Sequence, residues 1–459
     1  MQTNSPSTPP LPISWEECKA RGWSHIDVLL VTGDAYIDHP SFGIALIGRL
    51  LESHGYKVAI LSQPRFDDNK DFKSYPAPRL FCGITAGNLD SIVANYTGNG
   101  KVRNSDSYSP NGNPWRGGNK EKKERRRPDR ASLIYTSLAR SAYGKVPIVL
   151  GGIEGSLRRF VHFDYKQNKL RASFLTDAKA DLLVYGMGEK AVVEIANRCN
   201  GGSPLTGIPG TCIRATDTEL HELFDEHELK QPRKFLRLPS HGKIMEDASH
   251  FLKAEVEVDK HLRAYSPRIV LQRQQSHWVV QYPPNQPLQQ QDLDALYSLP
   301  YTRNPHPENQ QIPAHQMIKD SVTIVRGCSG NCSFCSITRH QGPAIVSRSH
   351  GSIVKECGVI ATSPKFSGTI SDLGGPTANL YGTTCEIGGC KKRDCLYPKI
   401  CNHLQIDEGL FLKLLEDVGN KDKIKHLFIS SGLRMELLLK TPKLMERIIS
   451  RHTPGSIKI

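Results

Sequence analysis

Residues 326–336 read RGCSGNCSFCS. The stretch SVTIVRG (321–327) predicts a short strand, and that strand delivers Cys328, Cys332 and Cys335 on one loop, spaced C-x3-C-x2-C. Closed zinc and iron–sulfur sites take four protein ligands. A cluster of four irons needs one ligand per iron, so three thiolates leave one iron open. An open iron can bind a small molecule instead of only storing an electron. The fourth cysteine is missing from this loop, which marks the vacancy as the working position.

Downstream the pattern stays βα. FSGTISDLGGPTANL (366–380) predicts a strand and then the turn Gly374-Gly375-Pro376. IKHLFISSGLR (424–434) predicts a third strand ending at Ser430, Ser431 and Gly432, and GSIKI (455–459) a fourth. Upstream, IDVLLV (26–31), YKVAIL (56–61), LFCGIT (80–85), VPIVLGG (146–152) and ADLLVYG (180–186) are strand-like. Between them lie helix-like segments such as SFGIALIGRLLESHG (41–55), which stops at Gly55, and ASLIYTSLARSAYG (131–144). This alternation predicts an α/β fold with a doubly wound parallel sheet. Ligands in such sheets sit at the carboxyl strand ends, here Gly33, Asp34, His39, Gly151, Gly152, Gly186 and Gly188. Residues 201–320 are polar with few periodic segments, and 281–307 is rich in proline and glutamine, so this stretch is expected to form a linker wrapping between domains. The expected organisation is an N-terminal extension (1–25), a doubly wound domain (26–200), the linker (201–320) and the cysteine-bearing core (321–459).

The chain has 459 residues, a net charge of +14 and twelve cysteines, eight of them between Cys328 and Cys401. Clustered cysteines point to metal or redox use. No apolar run approaches a membrane span and no signal-peptide pattern opens the chain, so a cytoplasmic protein is expected. The basic run GGNKEKKERRRPDR (117–130) reads either as a solvated loop or as a nucleic-acid contact without aromatic interleaving.

The motif CSGNCSFC after a strand resembles the cysteine motif of radical S-adenosylmethionine (SAM) enzymes. The resemblance implies a [4Fe-4S] cluster on Cys328, Cys332 and Cys335, with AdoMet on the open iron. It further implies reductive cleavage to a 5′-deoxyadenosyl radical, and a reducing partner such as a flavodoxin or ferredoxin. The family's glycine-rich turn maps onto Asp372, Gly374 and Gly375. Pro376 stands where many relatives have glutamate, which makes Asp372 the candidate substitute. Ser430, Ser431 and Arg434 are candidates to meet the ribose or carboxylate of AdoMet. The segments 26–43, 149–159, 326–338 and 371–381 resemble the YgiQ-type subfamily, which brings no substrate with it. A superfamily barrel has six or more strands and this chain reads four. The expectation is therefore a partial radical SAM barrel, truncated at its C-terminus and inactive if the pocket is incomplete.

Two further sites follow from the same reading. CEIGGCKKRDCLYPKIC (385–401) sets Cys385, Cys390, Cys395 and Cys401 at x4, x4 and x5 spacing, with His403 close behind. These four are candidates for an auxiliary iron–sulfur cluster or a zinc. Residues 26–199 resemble the cobalamin-binding-like domain ahead of some radical SAM barrels. DHPSFG (38–43) departs from the histidine-ligated pattern, so the balance goes against cobalamin, with His39 the one ligand candidate. Some such domains bind the cofactor without a protein histidine, which keeps the question open. The competing reading of the whole chain is a non-catalytic protein stapled by zinc or iron–sulfur that binds nucleic acid.

Overall fold

The computed structural model describes residues 8–117, 124–262, 267–308, 311–388, 390 and 394–459. The centre of the basic run, 118–123, lies outside them. The described chain forms two compact units. One takes residues up to 261 together with 266–285 and 300–315; the other takes 286–299 and 316–459.

The first unit is built on β1 (Val28–Thr32), β2 (Val58–Ser62), β3 (Phe81–Thr85), β4 (Ile148–Leu150) and β5 (Leu182–Val184). These are unbroken apolar runs, the signature of strands covered on both faces. They pair in parallel in the order β2-β1-β3-β4-β5. Leu29, Val31, Cys82 and Ile148 share a core with Ala131, Tyr135 and Ala139 of helix α2 (Ala131–Tyr143). Their neighbours point the other way: Leu30 and Ile60 lie under Gly48 of helix α1 (Gly43–Ser53). α1 ends where expected, with Gly55 at φ +86°.

The sheet does not stop at residue 200. β6 (Thr211–Ala215), β7 (Phe235–Arg237), β8 (Ile269–Arg273) and β9 (Trp278–Gln281) extend it to nine strands, in the order β7-β8-β9-β6-β5-β4-β3-β1-β2. β6 pairs antiparallel with β5 and β9, and β9 with β8, so the sheet is mixed rather than purely parallel. This corrects the linker expectation for the part of 201–320 that runs to Gln281; beyond it the chain passes to the second unit at 286–299 and back to the first at 300–315. The stretch looks polar because glutamines sit inside its strands, buried and bonded. Gln281 Oε1 accepts from Arg159 Nε at 2.6 Å, and Gln272 Oε1 accepts from Val161 N at 2.9 Å.

The second unit begins with β10 (Ser321–Thr323) and β11 (Val325–Arg326). Then come helix α3 (His350–Thr362), β12 (Thr369–Ile370), β13 (Asp372–Gly374), helix α4 (Glu408–Gly419), β14 (His426–Leu427) and helix α5 (Pro442–Arg451). β10 pairs in parallel with β13, and β12 with β14. Three successive β/α units therefore stand side by side around a core of Val322, Ile353, Leu373, Leu414 and Leu427. GSIKI carries no strand, although Lys458 O accepts from Leu433 N at 2.8 Å and Ile457 packs on the core. Within this unit a groove of about 860 Å³ runs between residues 287–290, 344–347, 382–384 and 405–410, and no cysteine lines it.

Candidate metal and cofactor site

Cys328, Cys332 and Cys335 lie on the loop that leaves β11, at the carboxyl end of the first parallel strand, and all three are half-buried free thiols. The loop turns at Gly327, whose φ of +77° favours glycine; its N–H donates to Gln341 Oε1 at 3.2 Å. Cys328 Sγ lies 3.8 Å from Thr377 Oγ1. Phe334, between Cys332 and Cys335, is 90% exposed. The sequence reading passed over it, yet an aromatic between two thiolate positions with no core partner was a legible signal.

The other predicted residues come to the same end of the unit. Asp372 does not point outward. Its Oδ1 accepts from Ser430 N at 2.8 Å and Ser431 N at 3.0 Å, and its Oδ2 accepts from Ser431 Oγ. Ser431 Oγ in turn accepts from Gly375 N at 3.3 Å. Asp372 thus fastens the second strand end to the third. The two glycines serve the same packing: a Cβ on Gly374 would run into Ser431 Oγ and the Asp372 carboxylate, and one on Gly375 would stand 2.5 Å from Val325 O. Arg434 follows the third strand. It forks onto Glu436 through Nε (3.3 Å) and Nη2 (2.6 Å), and donates through Nη1 to Cys332 Sγ at 2.8 Å. Burial works against its charge, and Glu436 and Cys332 more than offset that, leaving its pKa raised. Its carboxylate-matching fork is held by a residue of this chain.

The donor set suits an iron–sulfur cluster. It offers three soft thiols on one short loop, a cation beside one sulfur, and no fourth cysteine in the motif. Among the described residues, no three His, Cys, Asp or Glu side chains are already gathered around one point.

The strand ends of the first unit are different. Arg127, 2% exposed, lies within 3.0 Å of the position a Cβ would take on Gly33, just after β1. It pairs with Asp34 Oδ1 at 2.6 Å and Asp106 Oδ2 at 3.0 Å, while Asn88 N donates to Asp34 Oδ2 at 2.7 Å. Burial pushes the Asp34 carboxyl up, against the pull of Arg127. Glu154, of the GGIE turn, accepts from Ser132 N at 3.0 Å and Ser132 Oγ at 2.6 Å, and also from Ser91 Oγ. His39 is buried, its Nδ1 taking Ser41 N at 3.1 Å. These side chains are held by bonds within the first unit.

Comparison with known proteins shows the family. The family described as radical SAM N-terminal matches residues 10–321. A UPF0313 protein of Thermotoga neapolitana is 43% identical over 98% of this chain and 77% of its own length. The chain belongs to this radical SAM family. A UPF0313 protein of Vibrio vulnificus is 40% identical, over 99% of this chain and 64% of that one. The family resemblance read from the four motif segments is borne out. Among solved structures, the radical SAM methyltransferase TsrM from Kitasatospora setae, with tryptophan and a SAM analogue bound, covers 92% of this chain and 64% of its own. Its identity is 16% and its TM-score 0.43. OxsB, a cobalamin-dependent SAM radical enzyme, covers 95% and 44%, at 9% identity and a TM-score of 0.45. No helix among the described residues is long and apolar enough to cross a membrane.

Proposed function

We propose that this chain is a radical SAM enzyme whose cluster is held by Cys328, Cys332 and Cys335. The observation that carries the reading is the loop itself. Three thiols leave the first of three parallel β/α units, and a guanidinium from the third unit bonds the middle thiol. When bound, a [4Fe-4S] cluster would supply the electron that splits the carbon–sulfur bond of AdoMet. Arg434 offsets thiolate charge at Cys332. Asp372 and Ser431 fix the second and third strand ends relative to each other, so the polar rim above the loop is rigid. Phe334 offers an uncommitted aromatic face beside the thiolates, suited to stacking on a planar ring. The electron would come from a small cytoplasmic carrier such as a flavodoxin or ferredoxin.

The test is AdoMet cleavage by anaerobically reconstituted protein under strong reductant. The expected result is 5′-deoxyadenosine from the wild type, and none when Cys328, Cys332 or Cys335 is replaced by alanine. Cleavage that survives those replacements would remove the reading.

A further inference from the structure

We propose that Cys385, Cys390, Cys395 and Cys401 hold a second metal centre, closed by four thiolates and seated on the loop of the first. The backbone already folds this segment on itself. Thr383–Cys385 pairs antiparallel with Leu404–Ile406, with Cys385 opposite Leu404. Glu386 N donates to His403 O at 3.0 Å, Leu404 N to Cys401 O at 3.0 Å, and Cys401 N to Cys395 O at 2.8 Å. The peptide groups of Cys385, Cys395 and Cys401 therefore belong to one loop neck. His403 turns its Nδ1 toward Glu386 Oε2 at 3.4 Å.

The loop reaches the core of the second unit through Leu396, with Ile400 and Cys401 packed against it. Among its described residues from 386 to 403, only Leu396 is buried, and none lies in a helix or strand. A loop with this little apolar burial also gains from a cross-link. Soft thiolates in fours select zinc or an iron–sulfur cluster. The spacings of four, four and five residues are wider than those of the C-x3-C-x2-C loop.

What sets this group apart from a stray cysteine cluster is where it rests. Cys395 N donates to Ser329 O at 3.1 Å, and Asn331 N donates to Asp394 Oδ2 at 3.1 Å. Ser329 and Asn331 are the neighbours of Cys328 and Cys332. Asp394 Oδ1 also takes Leu396 N at 2.7 Å and Tyr397 N at 3.1 Å, so one carboxylate ties both loops. A metal in the second loop would stiffen the backbone that presents the first set of thiols.

The deciding protein is the full chain with Cys328, Cys332 and Cys335 all replaced by alanine, which leaves the second group native. It is reconstituted anaerobically with iron and sulfide, or with zinc alone, and assayed for metal and sulfide beside its circular dichroism. The expected result is metal retained by folded protein. About one zinc without sulfide identifies a zinc site; iron with matching sulfide identifies a cluster; either sustains the proposal. Folded variant without bound metal overturns it, as does metal that persists after Cys385→Ala and Cys401→Ala are added. If the triple variant does not fold, alkylation of metal-loaded wild type decides. Cys385, Cys390, Cys395 and Cys401 should resist iodoacetamide until a chelator is added, and modification of all four in the loaded protein overturns the proposal.

Discussion

Arg434 donates through Nη1 to Cys332 Sγ across 2.8 Å, from a residue more than a hundred positions further along the chain. Hydrogen bonds and net charge at the sulfurs set the potential of an iron–sulfur cluster. Removing this cation makes an added electron less welcome. Arg434→Gln should assemble the cluster but lower its midpoint potential, by on the order of 60 mV for a differential of about 1.4 kcal/mol. Redox titration followed by electron spin resonance reads this directly. An unchanged or higher potential would show that the contact has no electrostatic role.

Gly374 is expected to be needed for packing between strands. Gly374→Ala should destabilise the chain by about 1–3 kcal/mol, because its Cβ meets the Ser431 hydroxyl and the Asp372 carboxylate. Adding Ser431→Ala removes one of those atoms and should recover part of the loss. Thermal unfolding of the two single variants and the double variant forms the cycle. A double variant no better than the sum of the singles would mean that the two residues do not collide.

Arg127 holds two buried carboxylates, Asp34 and Asp106. Arg127→Ala strands both, at a cost of about 3–5 kcal/mol. Arg127→Ala with Asp34→Asn should lose less. Urea unfolding compares them, and the wild type should not take up hydroxocobalamin in equilibrium dialysis. Stoichiometric uptake by the wild type would show that the strand ends open.

His162 supplies the pH dependence. Burial, helped by Arg158, lowers its pKa from 6.5 to about 3, so it is neutral in the fold. Between those values the unfolded chain binds the extra proton, and stability therefore falls as the pH drops below 6.5. The loss from this one group is on the order of 2 kcal/mol by about pH 5. His162→Gln should flatten the slope of melting temperature against pH over this range. An equal slope in both proteins would place the acid sensitivity elsewhere.

Strands β1–β5 were legible because their apolar runs are continuous, as in VLLVT and VAILS. The cysteine loop was legible because its spacing is chemistry written in one segment. Strands β6–β9 were hidden by Gln272 and Gln281, whose polarity is satisfied only once Val161 and Arg159 arrive from far along the chain. The roles of Asp372 and Arg434 were hidden in the same way. A sequence shows that a carboxylate follows a strand; it does not show that two serine amides fifty-eight and fifty-nine positions later will claim it.

The most direct test of the central claim is electron spin resonance of the reduced, reconstituted wild type, recorded with and without AdoMet. Three thiolates with one open iron predict the signal of a reduced four-iron cluster that shifts when AdoMet is added. A cluster signal that AdoMet leaves unchanged would contradict the account, because it would mean that no iron at Cys328, Cys332 and Cys335 is open to the ligand.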